Sequence, residues 1–107
     1  MNNLFDVGYY DEHALRAMGF GAVGENARIA KNCVIVGDLA NIRLGNQVRM
    51  DVFGTLIATG PITIGSYVHI AAYAHLSAGD GIVLEDFSGL SHGVKLYSRT
   101  DDYSGAY

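Results

Sequence analysis

The sequence predicts an all-β chain wound into a parallel β-helix of about four triangular coils, with a short N-terminal helix capping one end. Three observations carry this. A bulky aliphatic opens every group of six from Leu44 onward, an extra aliphatic marks a two-residue insert after each third group, and the stretch before Leu44 repeats the pattern behind a helical segment. The blocks read LGNQVR-MDVFGT-LIATGP, IGSYVH-IAAYAH-LSAGDG and LEDFSG-LSHGVK-LYSRTD, with IT and IV between them. First positions are Leu44, Met50, Leu56, Ile64, Ile70, Leu76, Leu84, Leu90 and Leu96, all nine of them aliphatic. Fifth positions are mostly small or β-branched, as at Val48, Gly54, Val68, Ala74 and Val94. A fixed hexapeptide period is the mark of a parallel β-helix.

Neither strand alternation, with a period of 2, nor an amphipathic helix, with a period of 3.6, places a large residue at every sixth position. A triangular prism with three short faces does. The first residue of each six points inward and the fifth lies near a corner, where space is limited. Successive coils stack about 4.8 Å apart as parallel strands, so equivalent residues form ladders. Ile42, Ile62 and Ile82 join the core from the inserts.

The first coil runs VGENAR-IAKNCV-IVGDLA from Val23, giving coil periods of 21, 20 and 20 residues. Leu39 is large for a fifth position, which predicts an irregular third face in that coil. Asn26 and Asn32 are fourth in their sixes, at corners where a left-handed backbone is expected and Asn tolerates it. Ahead of the coils, residues 1–10 read as an irregular lead-in. Residues 11–18 read as a short helix, with Asp11 as N-cap, Leu15 and Met18 on one face and Gly19 at the left-handed C′ position. The division expected is therefore a lead-in and capping helix over 1–20 and coils ending in a loop over 21–107.

Length and composition bound the rest. A chain of 107 residues is one domain by length, with half its residues apolar, 14 glycines and a net charge of −4. That charge argues against nucleic acid, which is bound through basic patches. No apolar run approaches a membrane span, and no signal peptide is visible, so the cytoplasm is expected. The single cysteine, Cys33, permits no internal disulfide and sits at a fifth position, where a buried small hydrophobe belongs.

The pattern aliphatic-Gly-x-x-small-x, as in IGSYVH and LGNQVR, resembles the hexapeptide-repeat acyltransferases, whose fold is a left-handed parallel β-helix. The tail LYSRTDDYSG resembles a loop of bacterial sugar and polysaccharide O-acetyltransferases, and the resemblance covers residues 11–105. It implies acetyl-CoA-dependent acyl transfer to a hydroxyl of a sugar or polysaccharide precursor, in a homotrimer that binds acetyl-CoA in clefts between subunits. It also implies further coils in relatives, so the chain reads as a truncated form. The alternative is a non-catalytic trimeric β-helix scaffold.

Such a transfer needs a base for the attacking group and donors for the oxyanion. In the resembled subgroup the base is a loop histidine, and the matching position here is Asp101. The other candidates are His75, last in its six, and His92, third in its six at a corner. His69, also last in its six, stacks above Arg49, and this cationic neighbour is expected to disfavour the imidazolium. His69 and His75 point from adjacent faces, which does not suit convergence on one zinc ion, so no metal is expected. Outward aromatics form two ladders, Tyr67 with Phe87 and Phe53 with Tyr73, which are expected to be covered by partner subunits.

Overall fold

The six-residue period appears as short parallel strands laid on three flat faces. The computed structural model describes residues 3–98. Face one carries β1 (Tyr9–Tyr10), β3 (Arg28–Ala30), β6 (Arg49–Met50), β9 (His69–Ile70) and β12 (Gly89–Leu90). Face two carries β4 (Val34–Gly37), β7 (Thr55–Ala58), β10 (His75–Ser77) and β13 (Lys95–Tyr97). Face three carries β2 (Ala22–Val23), β5 (Ile42–Leu44), β8 (Ile62–Ile64) and β11 (Ile82–Leu84). The chain is a left-handed parallel β-helix of about four coils. Its register pairs Val23 with Leu44, Leu44 with Ile64 and Ile64 with Leu84, which are the steps of 21, 20 and 20 residues that the sequence predicts.

First positions fill the prism. Met50, Leu56, Ile70 and Leu76 are essentially inaccessible, and Ile42 and Ile62 from the inserts lie fully buried beside them. Val23 and Ile35 in the lowest coil, and Leu90 and Leu96 in the highest, are half-buried against the same core. The glycine in second position has a direct cause. A Cβ on Gly45 would stand 2.7 Å from the backbone of Gly65 and Ser66 in the next coil, closer than atoms approach. The third-position polar residues form a staircase of bonds between coils. Asn46 accepts from the Glu25 N–H at 2.9 Å, Ser66 from the Asn46 N–H at 3.0 Å, and Asp86 from the Ser66 N–H at 2.7 Å.

Fourth positions turn the corners with positive φ, and most are not the Asn or Gly that such a backbone favours. Asn26 has φ 57° as expected, but Gln47, Phe53, Tyr67, Tyr73 and Phe87 share the conformation at 57° to 64°. Left-handed backbone costs about 1–2 kcal/mol per residue. The offset comes from the coil below: the N–H groups of Gln47, Tyr67 and Phe87 donate to Glu25, Asn46 and Ser66 carbonyls at 2.8–2.9 Å. Asn32 departs from expectation and is not left-handed. Its corner follows the one strand edge that carries an antiparallel neighbour, with the Lys31 N–H bonded to the Gly8 carbonyl at 3.0 Å, and its side chain instead faces the Phe53 N–H at 3.4 Å.

The lower end is closed by two elements. The lead-in, expected to be irregular, forms β1, which pairs antiparallel across β3 and covers the edge of face one. Helix α1 (Glu12–Met18) follows; Asp11 caps it by accepting from the Ala14 N–H at 3.0 Å, and Gly19 ends it at φ 100°. Leu15 and Phe20 are buried against the first coil. Glu12 and Arg16 pair with each other and tie the helix to the coil through the Asn26 N–H and the Val23 carbonyl. Leu39, too large for its corner, opens a single 3₁₀ turn over Leu39–Asn41.

This register makes a paired expectation. Ile70→Ala, deep between Met50 and Leu90, should lower unfolding free energy by about 2–5 kcal/mol. Val83→Ala, outward on face three and 69% exposed, should change it by less than about 0.5 kcal/mol. Denaturant titration of the two variants checks the assignment, and equal effects would contradict it.

Candidate functional site

On any strand of this fold the residues on either side of an inward aliphatic both point outward. On face one that rule brings Arg49 and Asp51 out on the two flanks of Met50, and Arg28, Arg49, His69 and Gly89 rise in one ladder. The corners bounding this face hold the aromatic pairs. Tyr67 and Phe87 stack with ring centres 5.2 Å apart and planes within 8°, and Phe53 and Tyr73 stack at 5.1 Å. Between them lie Arg49, Asp51 and His69, joined in two ion pairs.

Asp51 is the centre of this group. One carboxylate oxygen accepts from the Tyr9 hydroxyl at 2.7 Å and the other meets His69 Nε2 at 2.6 Å. Arg49 Nε lies 3.2 Å from the first oxygen, close enough for charge attraction but not aligned as a hydrogen bond, so that this buried N–H lacks a partner. Arg49 Nη2 is 2.9 Å from His69 Nε2, and the Arg28 guanidinium lies over the Tyr9 ring at 5.6 Å. Partial burial pushes the Asp51 carboxyl up, but the bonds from His69 and Tyr9 and the Arg49 charge outweigh it and hold it below the ordinary carboxylate range. The bond to Asp51, with burial second, raises the Tyr9 phenol.

Two groups compete for one ring nitrogen. The Asp51 carboxylate at 2.6 Å calls for a hydrogen on Nε2, while the Arg49 N–H at 2.9 Å, which can only donate, calls for a lone pair there. His69 Nδ1 makes no hydrogen bond among the described residues, on a side chain nearly half exposed. Arg49 lies below His69 in the ladder, as the sequence predicts, and Asp51 joins the pair diagonally across the coils.

The residues singled out from the sequence are not gathered in one place. His75 lies on face two, in register between Thr55 and Lys95, its ring tilted against Tyr97 at 5.5 Å. His92 is exposed at the corner that follows face one. Asp101 lies outside the described residues. Sequence reasoning passed over Asp51 and Tyr9. Asp51 was accessible from its second position in the six, while Tyr9 required the antiparallel strand β1. Cys33 is half-buried, and burial first raises its thiol; the sulfur donates to the Asp51 carbonyl at 3.1 Å, as an inert packing residue would.

Face three carries an open trough of about 450 Å³ lined by Thr63, Gly65, Val83, Leu84, Glu85 and Asp86. Its two carboxylates and lack of any lining cation give it the wrong sign for a phosphate-bearing ligand, whereas face one presents Arg28 and Arg49.

Asp51 binds its proton less readily folded than unfolded. Its contribution to stability is therefore complete above the ordinary carboxylate value of about 4 and is lost as pH falls through its lowered folded value. Thermal unfolding followed from pH 6 to pH 2 should show a steeper acid loss in the wild type than in Asp51→Asn; parallel curves would contradict the assigned network.

No family model matches the chain. It is 38% identical over 102 residues to dTDP-4-amino-4,6-dideoxy-D-glucose acyltransferase of Escherichia coli, a match over 94% of this chain and 53% of that protein. Two crystal structures of AntD, an N-acyltransferase from Bacillus cereus, superpose with TM-scores of 0.83 at 40% and 41% identity, over 92% of this chain and 51% of theirs. One holds dTDP with coenzyme A and the other dTDP with 3-hydroxybutyryl-CoA. The chain spans about half the length of these relatives. By sequence and by coil geometry alike, it is similar along nearly its whole length to sugar acyltransferases built on a left-handed parallel β-helix.

Proposed function

We propose that the protein transfers an acyl group from an acyl-CoA thioester to a nucleotide-linked sugar. The observation that carries this is the 38–41% identity, over more than nine-tenths of the chain, to proteins named as acyltransferases. Acetyl-CoA is the simplest donor, and a larger acyl group is compatible with the 3-hydroxybutyryl-CoA held by AntD. The hydroxyl acceptor expected from the sequence and the amino sugar in the name of the Escherichia coli relative share one chemistry, a protic nucleophile attacking a thioester carbonyl. We take the amine as acceptor, because two relatives are described by an amino substrate or by N-acyl transfer. Acyl-CoA and nucleotide sugars are cytoplasmic metabolites, which supports a cytoplasmic location. His75, His92 and Asp101 stand as candidates for the chemistry by resemblance alone.

The exposed rings, Phe87 at 78% and Tyr67 at 56%, favour a homotrimer in which these ladders are covered. They equally suit the second reading, a trimeric scaffold without catalysis. Calorimetric titration with coenzyme A and with dTDP separates the two. Saturable heats with both ligands support the transferase, and no heat with either leaves only the scaffold. Sedimentation of the same sample should give a trimer that Phe87→Ala weakens, and a monomer at high concentration would contradict the interface.

A further inference from the structure

We propose that Leu4 and Phe5, presented on the N-terminal turn, dock into the apolar hollow at the lower end of a second copy of this chain; the inference is independent of the transferase reading above.

Two features are each unexplained alone and complementary together. The first is a hook. Leu4 and Phe5 are 95% and 94% exposed, and Val7 close by is 40% exposed. The backbone that carries them is closed as a turn. The Asp6 N–H donates to the Asn3 carbonyl and the Phe5 N–H to the Asn3 side chain, both at 3.0 Å. The Gly8 N–H donates to the Asp6 carboxylate at 2.9 Å, and the Gly8 carbonyl is held in turn by the Lys31 N–H. Two adjacent large apolar side chains are thus held in water, outside the core of their own chain.

The second feature is a hollow of about 290 Å³ beneath the first coil. Each higher coil has its aliphatics covered by the coil below, but Ile29 and Ile35 have no coil beneath them. Helix α1 fills part of that space with Leu15 and Phe20. It is only seven residues long, and it leaves Ile35 and Leu39 half-buried and Met18 42% exposed along the hollow. An apolar cavity of about 150 Å³ takes up benzene, so this one has room for the Phe5 ring. Neither Leu4 nor Phe5 lines it in its own chain.

Charge points to the occupant. Lys31 is the charged residue of the lining and sits at the exposed rim, its ammonium 5.6 Å from the centre of the Tyr10 ring. Asp6 follows Phe5 directly. An apolar pair with a carboxylate at its base therefore meets an apolar hollow with a cation at its mouth. Hook and hollow are different patches, so the contact is heterologous and closes only as a ring in which every copy gives one hook and receives one. The homotrimer proposed above supplies such a ring. Two side chains are too little for an interface by themselves, since stable ones bury at least about 1,200 Å². The hook adds to the aromatic ladders and does not replace them.

The chain has no tryptophan, so Phe5→Trp installs a single reporter at the tip of the hook. Its emission should be that of an indole in water at the lowest concentration, and should shift to the blue as sedimentation shows the protein associating. Met18→Glu, at the half-exposed wall of the hollow, should abolish the shift while the circular dichroism spectrum stays unchanged. Phe5→Asp should weaken association at least about tenfold, the effect of leaving one large apolar side chain in water. An assembly that forms with the indole still in water overturns this contact and leaves the ladder interface standing. A blue shift already complete in the monomer places the hook in its own chain and overturns the second copy as occupant. A protein that stays monomeric at high concentration overturns both interfaces.

Discussion

Each coil is held by backbone hydrogen bonds to the coil beneath it, and those bonds form only if the inward aliphatics fall in register every 20 residues or so. The rest depends on that constraint. It makes one residue in six a core residue, forces glycine where a Cβ would strike the next coil, and puts the residues flanking each aliphatic on the outside. An outward side chain is consequently placed by its ladder neighbours more than by its neighbours in sequence. The Asp51–His69 pair is a product of this geometry. The residues stand 18 apart in the chain and 2.6 Å apart in space.

The pattern of legibility follows. The core was readable because its cause is local: a single spacing rule, repeated, puts Leu56, Ile70 and Leu76 inside. The capping helix was readable for the same reason, since Asp11, Leu15 and Gly19 lie within one short segment. The corners were half-readable. Asn26 met the expected left-handed backbone, but Phe53 and Tyr67 do so as well, because coil-to-coil hydrogen bonds and ring stacking outweigh their intrinsic preference. The site was the least readable part. A ladder argument places Arg49 under His69, but the deciding contact is a diagonal one from Asp51, fixed in turn by a hydroxyl from a lead-in that sequence patterning gave no reason to pair.

The same network joins the strand pairing at the lower end to the polar cluster on face one. Tyr9 fastens β1 to face one and also holds Asp51, so the element that covers the strand edge also completes the polar cluster. The three faces are correspondingly unlike. Face three offers a trough edged by Glu85 and Asp86, face two a histidine packed on Tyr97, and face one a bound carboxylate–imidazole pair with two guanidinium groups.

The central claim is that face one meets the ligands. Amide chemical shifts during titration with dTDP, and then with coenzyme A, test it most directly. The account predicts that perturbations concentrate at His69, Gly89 and the bordering Tyr67 and Tyr73. Perturbations concentrated at Thr63, Val83 and Glu85 on face three, with face one silent, would contradict it.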